Sequence, residues 1–144
     1  MTSTPLDNDY VRRTVLVLDD DAPLRAASAR ILTRGGYRVL AAGTGREALD
    51  LADEYAGPVH LLLSDLVLPD ATGSEVADRL RATRPHMRVL FMSGYSSSGS
   101  SRLDRPGEAW RYLAKPFDVD ELLEAVGLAS DLAASDEEAG ERRA

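Results

Sequence analysis

Short apolar runs recur along the chain: Val15-Leu16-Val17-Leu18, Val59 to Leu63 with His60 inside it, Val89-Leu90-Phe91-Met92, and Tyr112-Leu113-Ala114. Runs of this length, rich in Val and Leu and separated by helix-period segments, read as strands buried on both faces of a parallel sheet. The pattern predicts a first strand at 14–18 and a helix from Pro23, a favoured first-turn residue, to the Gly35-Gly36 stop. A second strand is expected at 37–41. Thr44-Gly45-Arg46-Glu47 fits the capping-box pattern and opens a helix to about Tyr55, before Gly57-Pro58 breaks it ahead of strand three at 59–63. Thr72-Gly73-Ser74-Glu75 repeats that pattern and opens a third helix ending near Thr83, followed by strand four at 88–92. The stretch 96–107 is rich in Ser, Gly and Pro, so the fourth helix is expected to be short or irregular. Strand five is expected at 110–114, and Asp118-Val119-Asp120-Glu121 caps a last amphipathic helix through about Leu128. Strand and helix thus alternate five times, with connections short enough for right-handed crossovers. The expected organisation is a polar lead-in at 1–13, one α/β domain at 14–129 and an extension at 130–144.

Composition narrows the class of protein. A chain of 144 residues fits one domain with a substantial core. No stretch approaches the roughly 18–20 apolar residues of a membrane span, and the first dozen residues lack the apolar core of a signal peptide. The absence of cysteine excludes disulfides and thiolate metal sites and fits a cytoplasmic setting. A net charge of −7 argues against nucleic-acid binding. The residues after Ser130 carry five acids and two arginines and read as a disordered acidic extension.

The chemistry lies at the strand ends. Asp19-Asp20, Asp65, Ser93 and Lys115 each follow one of the apolar runs, and ligands of open parallel sheets bind beyond the carboxyl ends of the strands. Lys115 is the chain's one lysine among 17 Lys and Arg residues, a compact ammonium where every other cation is a planar fork. Three carboxylates in one cleft are unfavourable unless a cation neutralises them or a pKa rises. Mg²⁺ is the natural answer, since it takes one or two carboxylates and completes its shell with water and phosphate oxygens. A carboxylate beside it can attack phosphorus and form an aspartyl phosphate, with the Ser93 hydroxyl and Lys115 meeting the phosphoryl oxygens. Asp21 has the separate reading of a helix N-cap.

With these segments in order, the chain resembles a bacterial two-component response-regulator receiver domain. The resemblance rests on Val15-Leu-Val-Leu-Asp-Asp-Asp21, Leu61-Leu-Leu-Ser-Asp-Leu-Val-Leu-Pro69 with Gly73, Val89-Leu-Phe-Met-Ser-Gly94 and Tyr112-Leu-Ala-Lys-Pro-Phe117, and covers about residues 14–128. The wording Phe91-Met-Ser-Gly-Tyr95 is similar to receivers fused to hybrid histidine kinases. The resemblance implies a flavodoxin-like (βα)5 doubly wound sandwich around a five-stranded parallel sheet. It implies that Asp65 accepts a phosphoryl group and that Asp19, Asp20, Asp65 and the Val67 carbonyl hold Mg²⁺. Ser93 and Lys115 would meet the phosphoryl oxygens, the Lys115-Pro116 bond would be cis, and Ser93 and Tyr112 would form a switch. Val67 is apolar where some members carry a polar residue and Tyr95 is bulky; both departures point to slow self-dephosphorylation. The irregular stretch after Ser96 leaves the family's usual dimer face, and so any homodimer, open.

The implied function is phosphorelay signalling: a single-domain response regulator charged by a histidine kinase or histidine phosphotransfer protein and acting on a downstream protein target. A phosphate sink, a phosphorelay shuttle and a receiver cut from a hybrid kinase are alternatives within the class; the Met1 start favours a complete protein. A hydrolase of the aspartyl-phosphate type would need a second acid at Val67, so independent turnover is not expected. A phosphorylation-independent pseudo-receiver is the alternative from a different class.

Overall fold

Five strands pair in parallel in the order 38–42, 14–18, 61–65, 88–93 and 110–114, and helices cover both faces. The computed structural model describes residues 12–94 and 110–130. The elements are β1 (Thr14–Leu18), α1 (Ala22–Arg34), β2 (Arg38–Ala42), α2 (Gly45–Glu54), β3 (Leu61–Asp65), α3 (Gly73–Thr83), β4 (Arg88–Ser93) and β5 (Trp110–Ala114), followed by helical residues 119–130, here α4. The expected loose lead-in, the irregular stretch after Ser96, Tyr95 and the acidic extension lie outside the described residues or almost wholly so.

Alternate residues of each strand feed two cores, as the period of two requires. Leu16, Leu18, Leu62, Val89 and Phe91 pack with Ala48, Ala52, Val76 and Leu80 of α2 and α3. Val15, Val17, Leu61, Leu63, Leu90 and Met92 pack with Leu32 of α1 and with Leu122, Val126 and Ala129 of α4. This double burial is why the strands read as continuous apolar runs.

The expected helix starts are present with differing detail. Thr72 and Glu75 form a full capping box, and Asp118 and Glu121 exchange two 2.8 Å bonds in the same manner. At Thr44 the box is half made: its hydroxyl accepts from the Glu47 N–H, but the Glu47 carboxylate turns to the Gly43 N–H at 2.7 Å. After α1, Gly36 takes φ +100°, a conformation that favours glycine.

Several expected strand limits shift. β2 runs 38–42 rather than 37–41, and α4 continues to residue 130 rather than stopping near Leu128. β3 spans 61–65 rather than 59–63, and β4 extends to Ser93. Apolar patterning ends a strand at its last hydrophobe, whereas the ladder is a backbone structure: Ser64 pairs with Phe91, Asp65 with Met92 and Ser93 with Ala114. At the other end, His60 turns Nδ1 to accept the Thr14 N–H at 3.0 Å. The chemistry-bearing residues on β3 and β4 therefore sit on the sheet itself.

Gly73 opens α3 directly under that ladder. A Cβ there would collide with the Asp65 carbonyl oxygen and stand 3.0 Å from both Phe91 Cε1 and Ser64 Oγ. Gly73→Ala is expected to destabilise the fold by about 1–3 kcal/mol, the usual cost of overpacking. A melting temperature unchanged from wild type in thermal denaturation would sink that expectation.

Candidate functional site

The carboxyl ends of β1, β3, β4 and β5 meet at one edge of the sheet. Asp65, the last residue of β3, is only 8% exposed. Asp19 follows β1 and is fully buried. Its N–H donates to the Ala42 carbonyl (3.1 Å), its own carbonyl accepts from Arg25 Nη1 (2.8 Å), and its Oδ1 accepts from the Asp21 N–H (2.9 Å). Asp20 beside it is exposed, while Asp21 caps α1 by accepting from the Leu24 N–H at 3.1 Å. The structure thus separates the expected N-cap from the acidic pair.

Lys115, just past β5, reaches back across the edge. Its Nζ lies 2.7 Å from Asp65 Oδ1 and 3.7 Å from Asp19 Oδ2. Its main-chain N–H donates to the Ser93 carbonyl at 2.6 Å, and the Lys115-Pro116 bond is cis, as expected. Ser93 is buried at the end of β4. Tyr112 is half-buried on β5, its ring centroid 5.5 Å from that of Phe91. Val67 forms an isolated bridge with Thr72 and leaves its side chain 75% exposed at the rim.

Burial and like charge dominate the electrostatics. Desolvation pushes the Asp65 carboxyl up, the neighbouring Asp19 adds to the rise, and Lys115 offsets only part of it, so the group sits at about 7. Burial pulls the Lys115 ammonium down, but the Asp65 and Asp19 carboxylates outweigh it and hold the group above its ordinary value. One oxygen, Asp19 Oδ2, is buried with no hydrogen-bond partner among the described residues. Asp19, Asp20 and Asp65 each offer a carboxylate oxygen within 4.8 Å of the others. Opposite ligands of an octahedral cation stand about 4.2 Å apart, twice a bond of about 2.1 Å. The three acids are thus one small side-chain adjustment from sharing a hard divalent ion, and the unpartnered oxygen fits such a ligand.

Three supports of the site have contacts that sequence reasoning does not supply, although Gly73 itself carries part of the resemblance. Arg25 anchors the Asp19 backbone, and the only signal for it is an arginine in the helix after the acid pair. Gly73 provides the close approach described above. Asp70 accepts from the Gly45 and Arg46 N–H groups at 2.8 and 3.0 Å, tying the loop after Asp65 to the start of α2, and those bonds hold its carboxyl below the usual range.

The chain belongs to the response regulator receiver domain family of two-component signal transduction, whose sequence profile matches residues 15–127. It is 35% identical over 114 residues to the sensor kinase CckA of Brucella abortus, covering 78% of this chain and 12% of that kinase. It is 29% identical over 112 residues to sporulation initiation phosphotransferase F of Bacillus subtilis, covering 78% of this chain and 89% of that protein. Among solved structures, the receiver domain of the hybrid histidine kinase CckA superposes with a TM-score of 0.68 at 31% identity, covering 81% of this chain and 98% of that domain. A CheY-like receiver from Methanospirillum hungatei gives a TM-score of 0.75 at 29% identity, covering 87% and 98%. The chain spans 12% of CckA and about a quarter of the NtrC regulators it also matches. No helix among the described residues is long and apolar enough to cross a membrane.

The raised carboxyl makes a stability prediction. Between about pH 4, where an unfolded aspartate titrates, and pH 7 the native chain holds a proton on Asp65 that the unfolded chain has lost. Stability from this group is therefore full below pH 4 and is lost as pH rises through 7. In chelator at pH 8, Asp65→Asn should raise the melting temperature by a few degrees, at about 2–8 °C per kcal/mol for domains of this size. The gain should vanish near pH 4. A lower melting temperature at pH 8 would contradict the assignment.

Proposed function

We propose that this receiver, within residues 14–129, accepts a phosphoryl group on Asp65 from a phosphohistidine of a histidine kinase or phosphotransfer protein. The observation that carries the reading is the 2.7 Å pair of Lys115 with Asp65, set beside the buried Asp19 and the rim acid Asp20. An ionised Asp65 oxygen attacks phosphorus as the P–N bond to imidazole breaks, and the departing imidazole takes up a proton. Asp19, Asp20, Asp65 and the Val67 carbonyl would hold Mg²⁺, whose charge would favour the ionised Asp65 and offset that of the phosphoryl oxygens. Lys115 pairs with one phosphoryl oxygen and the Ser93 hydroxyl donates to another. Ser93 moving toward the new group gives Tyr112 space to turn, shifting the population of two packings of the surface around β5.

The domain does no independent substrate turnover in this reading. It acts in the cytoplasm through a protein target that recognises the altered surface. A second reading, a phosphoryl shuttle within a relay, is supported by the likeness to sporulation initiation phosphotransferase F, of which the chain spans 89%.

Intact mass after incubation with acetyl phosphate and Mg²⁺ tests the chemistry. The wild type should gain one phosphoryl group and Asp65→Ala none; a gain in both, or in neither even with a histidine kinase present, overturns it. Lys115→Ala should slow phosphorylation by about a hundredfold, the scale of losing one charge-stabilising donor. Exposed, apolar Val67 gives no side-chain polar atom to orient an attacking water, so the phosphoryl group should persist for minutes. A decay complete within seconds, followed by phosphate release, would refute this.

A further inference from the structure

The ladder between β1 and β3 stops just short of the acidic cleft. Its last pair is Leu18 with Ser64, so Asp19 and Asp65 each lie one residue past it. Beyond that point the two sides of the cleft are held to different neighbours. Asp65 pairs with Met92 of β4, whereas the Asp19 N–H donates to the Ala42 carbonyl at the end of β2. Lys115 spans the gap, but through a long and flexible side chain.

The two sides are joined again at Asp70. β2 ends at Ala42, and α2 begins three residues later at Gly45. The Asp70 carboxylate, in the loop that follows Asp65, accepts from the Gly45 N–H at 2.8 Å with Oδ1 and from the Arg46 N–H at 3.0 Å with Oδ2. N–H groups in the first turn of a helix have no partner within it, and a carboxylate there also meets the positive end of the helix. The approach is close: a Cβ on Gly45 would stand 2.9 Å from Val76 Cγ2 and 3.3 Å from both Ala71 Cβ and Asp70 Oδ1. Thr44 caps the same helix separately, its hydroxyl accepting from the Glu47 N–H at 3.1 Å.

The loop that carries Asp70 is braced within itself. The Leu66 carbonyl accepts from the Gly73 N–H at 2.7 Å, Val67 bridges to Thr72, and the Leu68 N–H donates to the Ala71 carbonyl at 2.9 Å. A displacement of Asp70 is therefore carried back to Val67, two residues past Asp65. Asp70 itself is exposed, so its side chain fills no space in the core.

We propose that Asp70 is a positioning residue for Mg²⁺: by fastening loop 66–72 to the start of α2, it fixes Asp65 and the Val67 carbonyl relative to Asp19 and Asp20. Its role rests on the Mg²⁺ reading of the cleft, and Asp70 stays outside that ligand set. Contacts that orient metal ligands from outside change metal affinity by about 10–100-fold when removed.

Calorimetric titration of the full chain with MgCl₂ tests the assignment. Asp70→Ala should weaken Mg²⁺ binding by about tenfold, and Asp70→Asn, which keeps one acceptor oxygen, by less. Two further variants separate positioning from stability and from charge. Thr44→Ala removes the other cap of α2 and should lower the melting temperature while leaving Mg²⁺ affinity unchanged. Asp78→Ala removes an exposed acid from the same groove between α2 and α3 and should keep the affinity within about twofold, since exposed charge is screened. Equal Mg²⁺ affinity in Asp70→Ala and wild type overturns the proposal and leaves the metal reading standing. A loss that Thr44→Ala or Asp78→Ala matches also overturns it, because stability or charge would then account for the effect. A wild type that takes up no Mg²⁺ overturns the metal reading and this assignment with it.

Discussion

Two carboxylates, Asp19 and Asp65, are withdrawn from water at neighbouring strand ends, and one ammonium is set against both. Burial of like charge is costly unless something compensates it. Here Lys115 compensates in part, which leaves Asp65 at about 7 and Asp19 Oδ2 without a hydrogen bond among the described residues. The three carboxylate oxygens of Asp19, Asp20 and Asp65 stand close enough to one another to hold a divalent cation, which would complete the balance. Much of the surrounding structure serves this arrangement. The Asp65–Met92 pairing fixes the backbone on which one carboxylate sits, and the Arg25 guanidinium and Ala42 carbonyl fix that of the other.

The sheet explains how so much polar chemistry coexists with a dry interior. Both faces are covered, so the strands must be apolar along their length, and polar side chains are displaced to their ends. The carboxyl ends collect acids and the amino ends collect arginines. The amino-terminal edge is also tied together by polar bonds that apolar packing alone would not supply. Arg84 donates to the Gly57, Ala52 and Tyr55 carbonyls, and the Tyr55 hydroxyl meets Thr14 Oγ1 at 3.1 Å and Arg38 Nη1 at 3.3 Å. These contacts close the end of α2, whose last carbonyls have no helical partner.

Family membership defines the reaction class more closely than the biological output. The same receiver fold forms a small part of CckA and most of sporulation initiation phosphotransferase F. Fold and function are separable for that reason.

The amino-acid sequence by itself determined the alternation of strands and helices, the strand ends that carry chemistry and the capping at Thr72 and Asp118. Those features are local: burial on both faces writes an apolar run, and a helix start needs a particular side chain three residues from a particular N–H. The cis bond and the gathering of Asp65, Ser93 and Lys115 at one edge of the sheet were legible only through the order of several motifs taken together. Only the tertiary structure decided that β3 runs on through Asp65, since a backbone ladder is indifferent to the polarity of its side chains. It alone brought Lys115 to 2.7 Å from an acid 50 positions away. It alone turned Arg25, Asp70 and Gly73 into supports of the site, because periodicity reports which residues are buried and says nothing of the distances between elements that meet across the sheet.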